Sequence, residues 1–296
     1  MEPRAAIYKG HGLGNDYVAL AEADLPFTLT PPAVRLVCDR HTGVGSDGIL
    51  ARVPSDAADF GVRIFNPDGS EAEKSGNGLR IFAAYLYEHG EVRVGAPFTV
   101  ETLAGVVSMT ILEAGADGVL QVEVEMGTAS FRSADVGLAG PDRETGGELL
   151  ELPAGDRVEI NTVSLGNPHC VVFEDEVDVE DLRRRAPQIS THVSFARGTN
   201  VQFARVAGPG AVEAWVWERG AGETTASGSS ACAVAAASVR RGMIAEREVE
   251  VRMPGGTLHV VVREDWTILL RGPVEGVYRG ALTAGMVERL KTLSWP

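Results

Sequence analysis

The sequence predicts an α+β protein of two pseudo-symmetric lobes, each a mainly antiparallel sheet or barrel wrapped around a central buried helix. Three observations predict it. The first is an internal repeat at a constant offset of 152 residues. Leu13-Gly14-Asn15 recurs as Leu165-Gly166-Asn167, and Ser75-Gly76-Asn77-Gly78 recurs as Ser227-Gly228-Ser229-Ser230. The same register sets Val62–Phe65 over Ala214–Trp217, Asn66 over Glu218, Glu71 over Glu223 and Gly48 over Asn200. Matches this numerous in one ungapped register point to duplication. The second is a pair of segments, Leu79–Leu86 and Ala231–Ala237, that are apolar nearly all round. A helix without a wet face is buried. The third is a set of short alternating segments separated by turn formers at hairpin-like spacing, the pattern of antiparallel sheet.

Those strands are expected at Phe98–Val100, Val106–Ile111, Leu120–Val124, Val249–Met253 and Leu258–Val262. Further helices are expected over Pro32–Arg40 and, near the end, Met286–Leu293. Turn formers and weak periodicity across residues 126–157 suggest the boundary there. The lobes then run 1–127 and 128–280, with 281–296 an extension assignable to the first lobe.

A chain of 296 residues, 44% apolar and 23% charged, carries enough apolar surface for a substantial core. A formal net charge of -14 excludes the basic stripe that nucleic acid requires. Cys38, Cys170 and Cys232 are odd in number and lack CxxC or metal-ligand spacing, which fits a reducing compartment. The N-terminus has no apolar stretch of signal-peptide length and the longest apolar runs fall well short of a membrane span, so no membrane partner and a cytoplasmic location are expected. No metal and no cofactor are expected.

Each apolar helix begins directly after a serine-headed turn. The first amides of a helix lack internal partners and carry the positive end of its dipole. Small residues there let an anion approach closely. One such turn reads as an ordinary N-cap, since serine and asparagine are favoured caps. A duplicated pair, both opening buried helices, points to a carboxylate-bearing ligand. Gly43–Gly48 matches GxGxxG, but it follows a helical pattern and precedes a strand, the reverse of a dinucleotide loop. There is no GxSxG elbow and no phosphate-binding lysine loop.

Taken together, Lys9–Asp16, Asn66–Glu71, Ser75–Arg80, Gly166–His169 and Glu218–Thr224 resemble the diaminopimelate epimerase family, in the family's order, from about residue 7 to 280. The resemblance implies a cofactor-independent amino-acid epimerase, an isomerase of lysine biosynthesis, with its site between two lobes. Two cysteines would flank the substrate α carbon, one removing its proton and one supplying a proton to the opposite face. Their positions here are Ser75 and Ser227. By the same resemblance His169 and Glu218 assist the two base positions. Asn15, Asn66, Asn167, Asn200 and Arg219 hold the substrate's polar ends, and Gly76, Asn77, Gly228 and Ser229 donate to its carboxylate. Gly48 departs from the glutamine that the family usually has after the aspartate matching Asp47. The expected partner is a small amino acid, with assembly as a homodimer left open.

Two serines change the chemistry. A thiol titrates near pH 8.5. A hydroxyl is far less acidic and acts only when a neighbouring base takes its proton. Three readings follow: an epimerase using Ser/His and Ser/Glu dyads, another proton-transfer isomerase using Glu218 or His169 directly, or a non-catalytic amino-acid-binding protein. Retention of three other cysteines fits targeted replacement of two positions as well as natural loss.

Overall fold

Strands and helices recur at the 152-residue offset along the chain. The computed structural model describes residues 5–153 and 155–293. Residues 1–4, 154 and 294–296, which belong to the expected lobes and extension, lie outside the described residues. The first copy comprises β1 (Ala6–Gly12), β2 (Asn15–Ala21), α1 (Pro31–Cys38), β3 (Ile49–Val53), β4 (Phe60–Phe65), β5 (Glu71–Ala72), α2 (Gly76–Glu88), β6 (Pro97–Thr102), β7 (Gly105–Ala114) and β8 (Leu120–Thr128). After a short α3 (Ser133–Val136) and β9 (Glu148–Glu151), the second copy comprises β10 (Arg157–Ser164), β11 (Pro168–Phe173), α4 (Val179–Ser190), β12 (Asn200–Gly208), β13 (Ala211–Glu218), β14 (Gly222–Thr224), α5 (Gly228–Arg240), β15 (Glu248–Met253), β16 (Gly256–Val262) and β17 (Thr267–Ala281). Helix α6 (Ala284–Thr292) ends the described chain.

The chain forms two compact units, Met1–Val124 with Gly272–Pro296, and Glu125–Arg271. This division departs from the expected limits at 127 and 280. Residues 275–281 of β17 pair antiparallel with Ala6–His11, which ties them to the first unit. The turn-rich stretch that suggested a linker belongs inside the second unit: Leu150 and Leu152 are buried in its core, and β9 pairs with β10. The boundary instead falls within the continuous strands β8 and β17.

In the first unit β17, β1, β2, β3, β4, β6, β7 and β8 pair in that order, and β8 with β17 closes the ring. Pairs β2–β3 and β4–β6 are parallel; the other pairs of known register are antiparallel. Parallel neighbours need a long crossover, and α1 and α2 lie in those two connections. Strand alternation then divides the side chains. Leu50 faces α2, which is buried from Gly76 to Leu86. Val18, Leu20, Ile49 and Ala51 face a separate core with α1 and α6.

The second unit repeats the plan. Strands β10, β11, β12, β13, β15, β16 and β17 pair in order, with β11–β12 and β13–β15 parallel across α4 and α5. Helix α5 packs against β10–β13, β15 and β16 and is buried along nearly its whole length. Its run of alanines lets surrounding strands approach closely. No helix among the described residues is long and apolar enough to cross a membrane.

Candidate functional site

In the first unit, Leu13 and Gly14 take φ 55° and 85°. This left-handed pair makes the two-residue turn that matches strand twist, and it sets Asn15 at the start of β2 opposite Gly12. Asn15 Nδ2 donates to Asp47 Oδ2 at 2.8 Å, and Asn77 Nδ2 donates to Asn15 Oδ1 at 3.2 Å. The fully buried Arg80 donates to Asn77 Oδ1 at 2.8 Å. Lys9 and Arg40 brace Asp16 at 2.8 and 2.7 Å. Burial opposes the Asp16 charge, but hydrogen bonds from Arg40 and Lys9 outweigh it and hold the carboxyl at a pKa of about 2. Asn15 and Asn77 are therefore fixed before any ligand arrives.

Ser75 caps α2: its Oγ accepts from Gly78 N at 3.0 Å, and Tyr17 Oη lies 3.4 Å away. Gly76 and Asn77 occupy the first helical positions, where amides have no carbonyl one turn earlier. Asn66 is placed differently. Its Nδ2 donates to Ser70 Oγ at 2.9 Å within its own turn, so hydrogen bonding does not join it to Ser75 or Asn77.

Gly48 is explained by packing. A Cβ there would lie 2.3 Å from the Phe65 carbonyl oxygen and 2.6 Å from Tyr17 Cε1. A glutamine does not fit this backbone. Gly48→Ala is expected to destabilise the protein by about 1–3 kcal/mol through overpacking, measured by chemical denaturation; no loss would show that the backbone at Phe65 and the Tyr17 ring can both give way.

In the second unit, Ser227 occupies the N-cap of α5, but its side chain makes no cap bond. Its hydroxyl lies beside the Glu218 carboxyl, whose charged form it favours. Burial raises the Glu218 pKa, and the Ser227 hydroxyl only partly offsets the shift. The equivalent helix starts thus use equivalent serines differently. Ser75 serves the helix; Ser227 serves a carboxylate.

Loop β10–β11 pairs Ser164 with Pro168, which has no N–H to give, and leaves Asn167 off the ladder. His169, fully buried, has both ring nitrogens engaged: Nε2 with Asn167 Oδ1 at 3.1 Å and Nδ1 with Gln202 Nε2 at 3.1 Å. Gln202 Nε2 also reaches Ser230 Oγ at 3.0 Å. Burial, then the Arg219 charge, push the imidazole down to about 3, so it is neutral near pH 7. Asn200 is spent on backbone: Nδ2 donates to Pro168 O at 3.0 Å and Oδ1 accepts from Arg219 N at 2.9 Å. It holds the Glu218-Arg219 turn in place. Arg219, exposed, donates to Arg197 O at 2.9 Å. Gly228 and Ser229 offer the first amides of α5.

Tyr17, Asp47, Gln202 and Ser230 escaped the sequence reading. The repeat offset could have flagged Tyr17, which stands opposite His169, and Ser230, which stands opposite Gly78. The three cysteines are buried. Among the described residues no group of His, Cys, Asp and Glu side chains could hold a metal ion.

The sequence matches the diaminopimelate epimerase family over residues 7–132 and 161–277. It is 43% identical over 277 residues to diaminopimelate epimerase 2 of Nostoc sp., covering 93% of this chain and 95% of that protein. It is 43% identical over 276 residues to diaminopimelate epimerase of Pelotomaculum thermopropionicum, covering 92% and 96%. In fold it is similar to a methylitaconate-delta-isomerase (TM-score 0.66, 14% identity, 96% and 97% covered). It is also similar to a hydroxyproline epimerase from Agrobacterium vitis (TM-score 0.64, 15% identity, 95% and 93% covered).

Proposed function

The chain belongs to the diaminopimelate epimerase family, and from that premise we propose that it inverts the α carbon of diaminopimelate, in lysine biosynthesis in the cytoplasm, by proton transfer without a cofactor. The observation that carries this reading is the half-buried Glu218 carboxyl beside the Ser227 hydroxyl at an uncapped helix start. The α carboxylate takes the amides of Gly228 and Ser229, where the helix dipole favours negative charge. The same donors stabilise the extra charge that develops as the α proton leaves. Ser227 Oγ takes that proton while passing its own to Glu218, so the hydroxyl is restored and the carboxylate becomes a carboxylic acid. A desolvated carboxylate of raised pKa is the stronger base for this step. On the other face, as the family resemblance implies, Ser75 Oγ gives up its proton and takes one from Tyr17 Oη, so the hydroxyl is restored and the phenol is left ionised.

The two sides are unequal, because Ser227 stands beside a carboxylate whereas Ser75 meets an amide and a phenol. In deuterated water, one diaminopimelate epimer is expected to exchange its α hydrogen with retention faster than it inverts. Nuclear magnetic resonance of LL- and meso-diaminopimelate reads both rates. Binding of either isomer with exchange no faster than in buffer would leave a binding protein and overturn the enzymatic reading.

A further inference from the structure

His169 carries an imidazole, yet its surroundings suit holding a neighbour better than moving a proton. Nε2 faces Asn167 Oδ1, an acceptor, and Nδ1 faces Gln202 Nε2, a donor. Those contacts are mutually consistent for one tautomer, with the proton on Nε2. The opposite arrangement requires Gln202 to turn its oxygen to His169 and Ser230. Its amino group would then take the buried place of Oε1, which has no hydrogen-bond partner. An orphaned carbonyl oxygen costs less than an orphaned amino group with two hydrogens. The present arrangement is therefore favoured, and it fixes the next link. Asn167 must point Oδ1 at the ring and keep both Nδ2 hydrogens for something else.

We infer that Gln202 and Ser230 lock His169 as the Nε2–H tautomer, and that His169 is a positioning residue that turns the Asn167 amide so that its amino group meets the amino-acid substrate's carboxylate. The inference rests on the epimerase reading for the identity of that ligand. The lock itself is a property of the free protein. The repeat strengthens it: at the 152-residue offset His169, Gln202 and Ser230 stand where the first unit has Tyr17, Leu50 and Gly78. There the equivalent Asn15 is held at both ends by Asp47 and Asn77, and a Cβ on Gly78 would sit 3.1 Å from Leu50 Cδ2. The polar chain is thus an addition to one copy only. A buried neutral ring whose conjugate acid titrates near 3 is moreover a poor acceptor for a proton at pH 7.

The test has two arms on the full protein. Nitrogen-15 spectra of the imidazoles, without ligand, should show a His169 with protonated Nε2 and bare Nδ1 between pH 5 and 8. Gln202→Leu should remove the Nδ1 hydrogen-bond shift. A proton on Nδ1 would overturn the lock whatever the protein turns over. The second arm uses substrate exchange. Glutamine in place of His169 still donates to Asn167 and accepts from Gln202 but carries no titratable nitrogen. His169→Leu should raise KM about tenfold, the worth of one hydrogen bond, and His169→Gln should restore most of that loss. A kcat loss of about 10²-fold in His169→Gln, the mark of a lost general base, would overturn the positioning role.

Discussion

Replacing both helix-start serines with thiols, Ser75→Cys with Ser227→Cys, is expected to raise kcat/KM for diaminopimelate epimerisation by about 10²–10⁴-fold, the range a well-matched acid–base group contributes. The ground is acidity. A thiol gives up its proton near pH 8.5, and a helix start or a neighbouring base lowers that further, whereas a serine hydroxyl reaches the oxyanion only while Glu218 holds its proton. Each thiol therefore shortens one of the two proton transfers. The stability cost falls on one position alone. Ser75 Oγ accepts from Gly78 N at 3.0 Å, so Ser75→Cys should lose about 1 kcal/mol of capping. Ser227 makes no cap bond, and Ser227→Cys should unfold with the parent. Chiral analysis of product and denaturant titration of the single variants check both statements. A folded double variant with no gain in turnover would show that the helix starts do not carry the protons.

The fold was legible because its signal is periodic and repeated. Helices α2 and α5 are Gly76–Glu88 and Gly228–Arg240, the same length at the same offset, and neither has a wet face to misread. The unit boundary was not legible. A strand that leaves one sheet and enters another alternates like any strand, so β8 and β17 hid it while turn formers near residue 140 advertised a linker that packs as core. At the site, Ser75 and Ser227 sit in equivalent motifs, yet only one caps its helix. The difference comes from strand-end neighbours, Asn66 just after β4 and Glu218 at the end of β13, one turned into its own loop and the other beside the serine. Motif reading pairs Glu218 with Ser227, but it does not see that Ser75 is turned to its own helix. Gln202 was invisible for a related reason: it lies on a strand opposite Leu50 in the repeat, and only burial beside His169 gives it a role.

Glu218→Gln is expected to abolish α-hydrogen exchange from the Ser227 face, by about 10²–10⁴-fold, while making the folded protein more stable at neutral pH. Glutamine keeps a hydrogen-bonding group beside Ser227 but takes no proton, so the hydroxyl loses its activator. The stability sign follows from linkage. Burial raises the Glu218 pKa above its ordinary 4.5, so the folded state holds that proton more tightly than the unfolded state. The stabilisation is whole below about pH 4.5 and is lost as pH rises through the folded value. Glutamine has no charge to desolvate, so the variant should match the parent at low pH and exceed it from neutrality upward. Denaturant titrations at pH 4 and pH 8, with deuterium exchange at pH 8, read both effects on one preparation. A variant less stable than the parent at pH 8 would mean that the ionised carboxylate is a structural tie. Gain of stability with loss of exchange is instead what a strained general base leaves behind when it is removed.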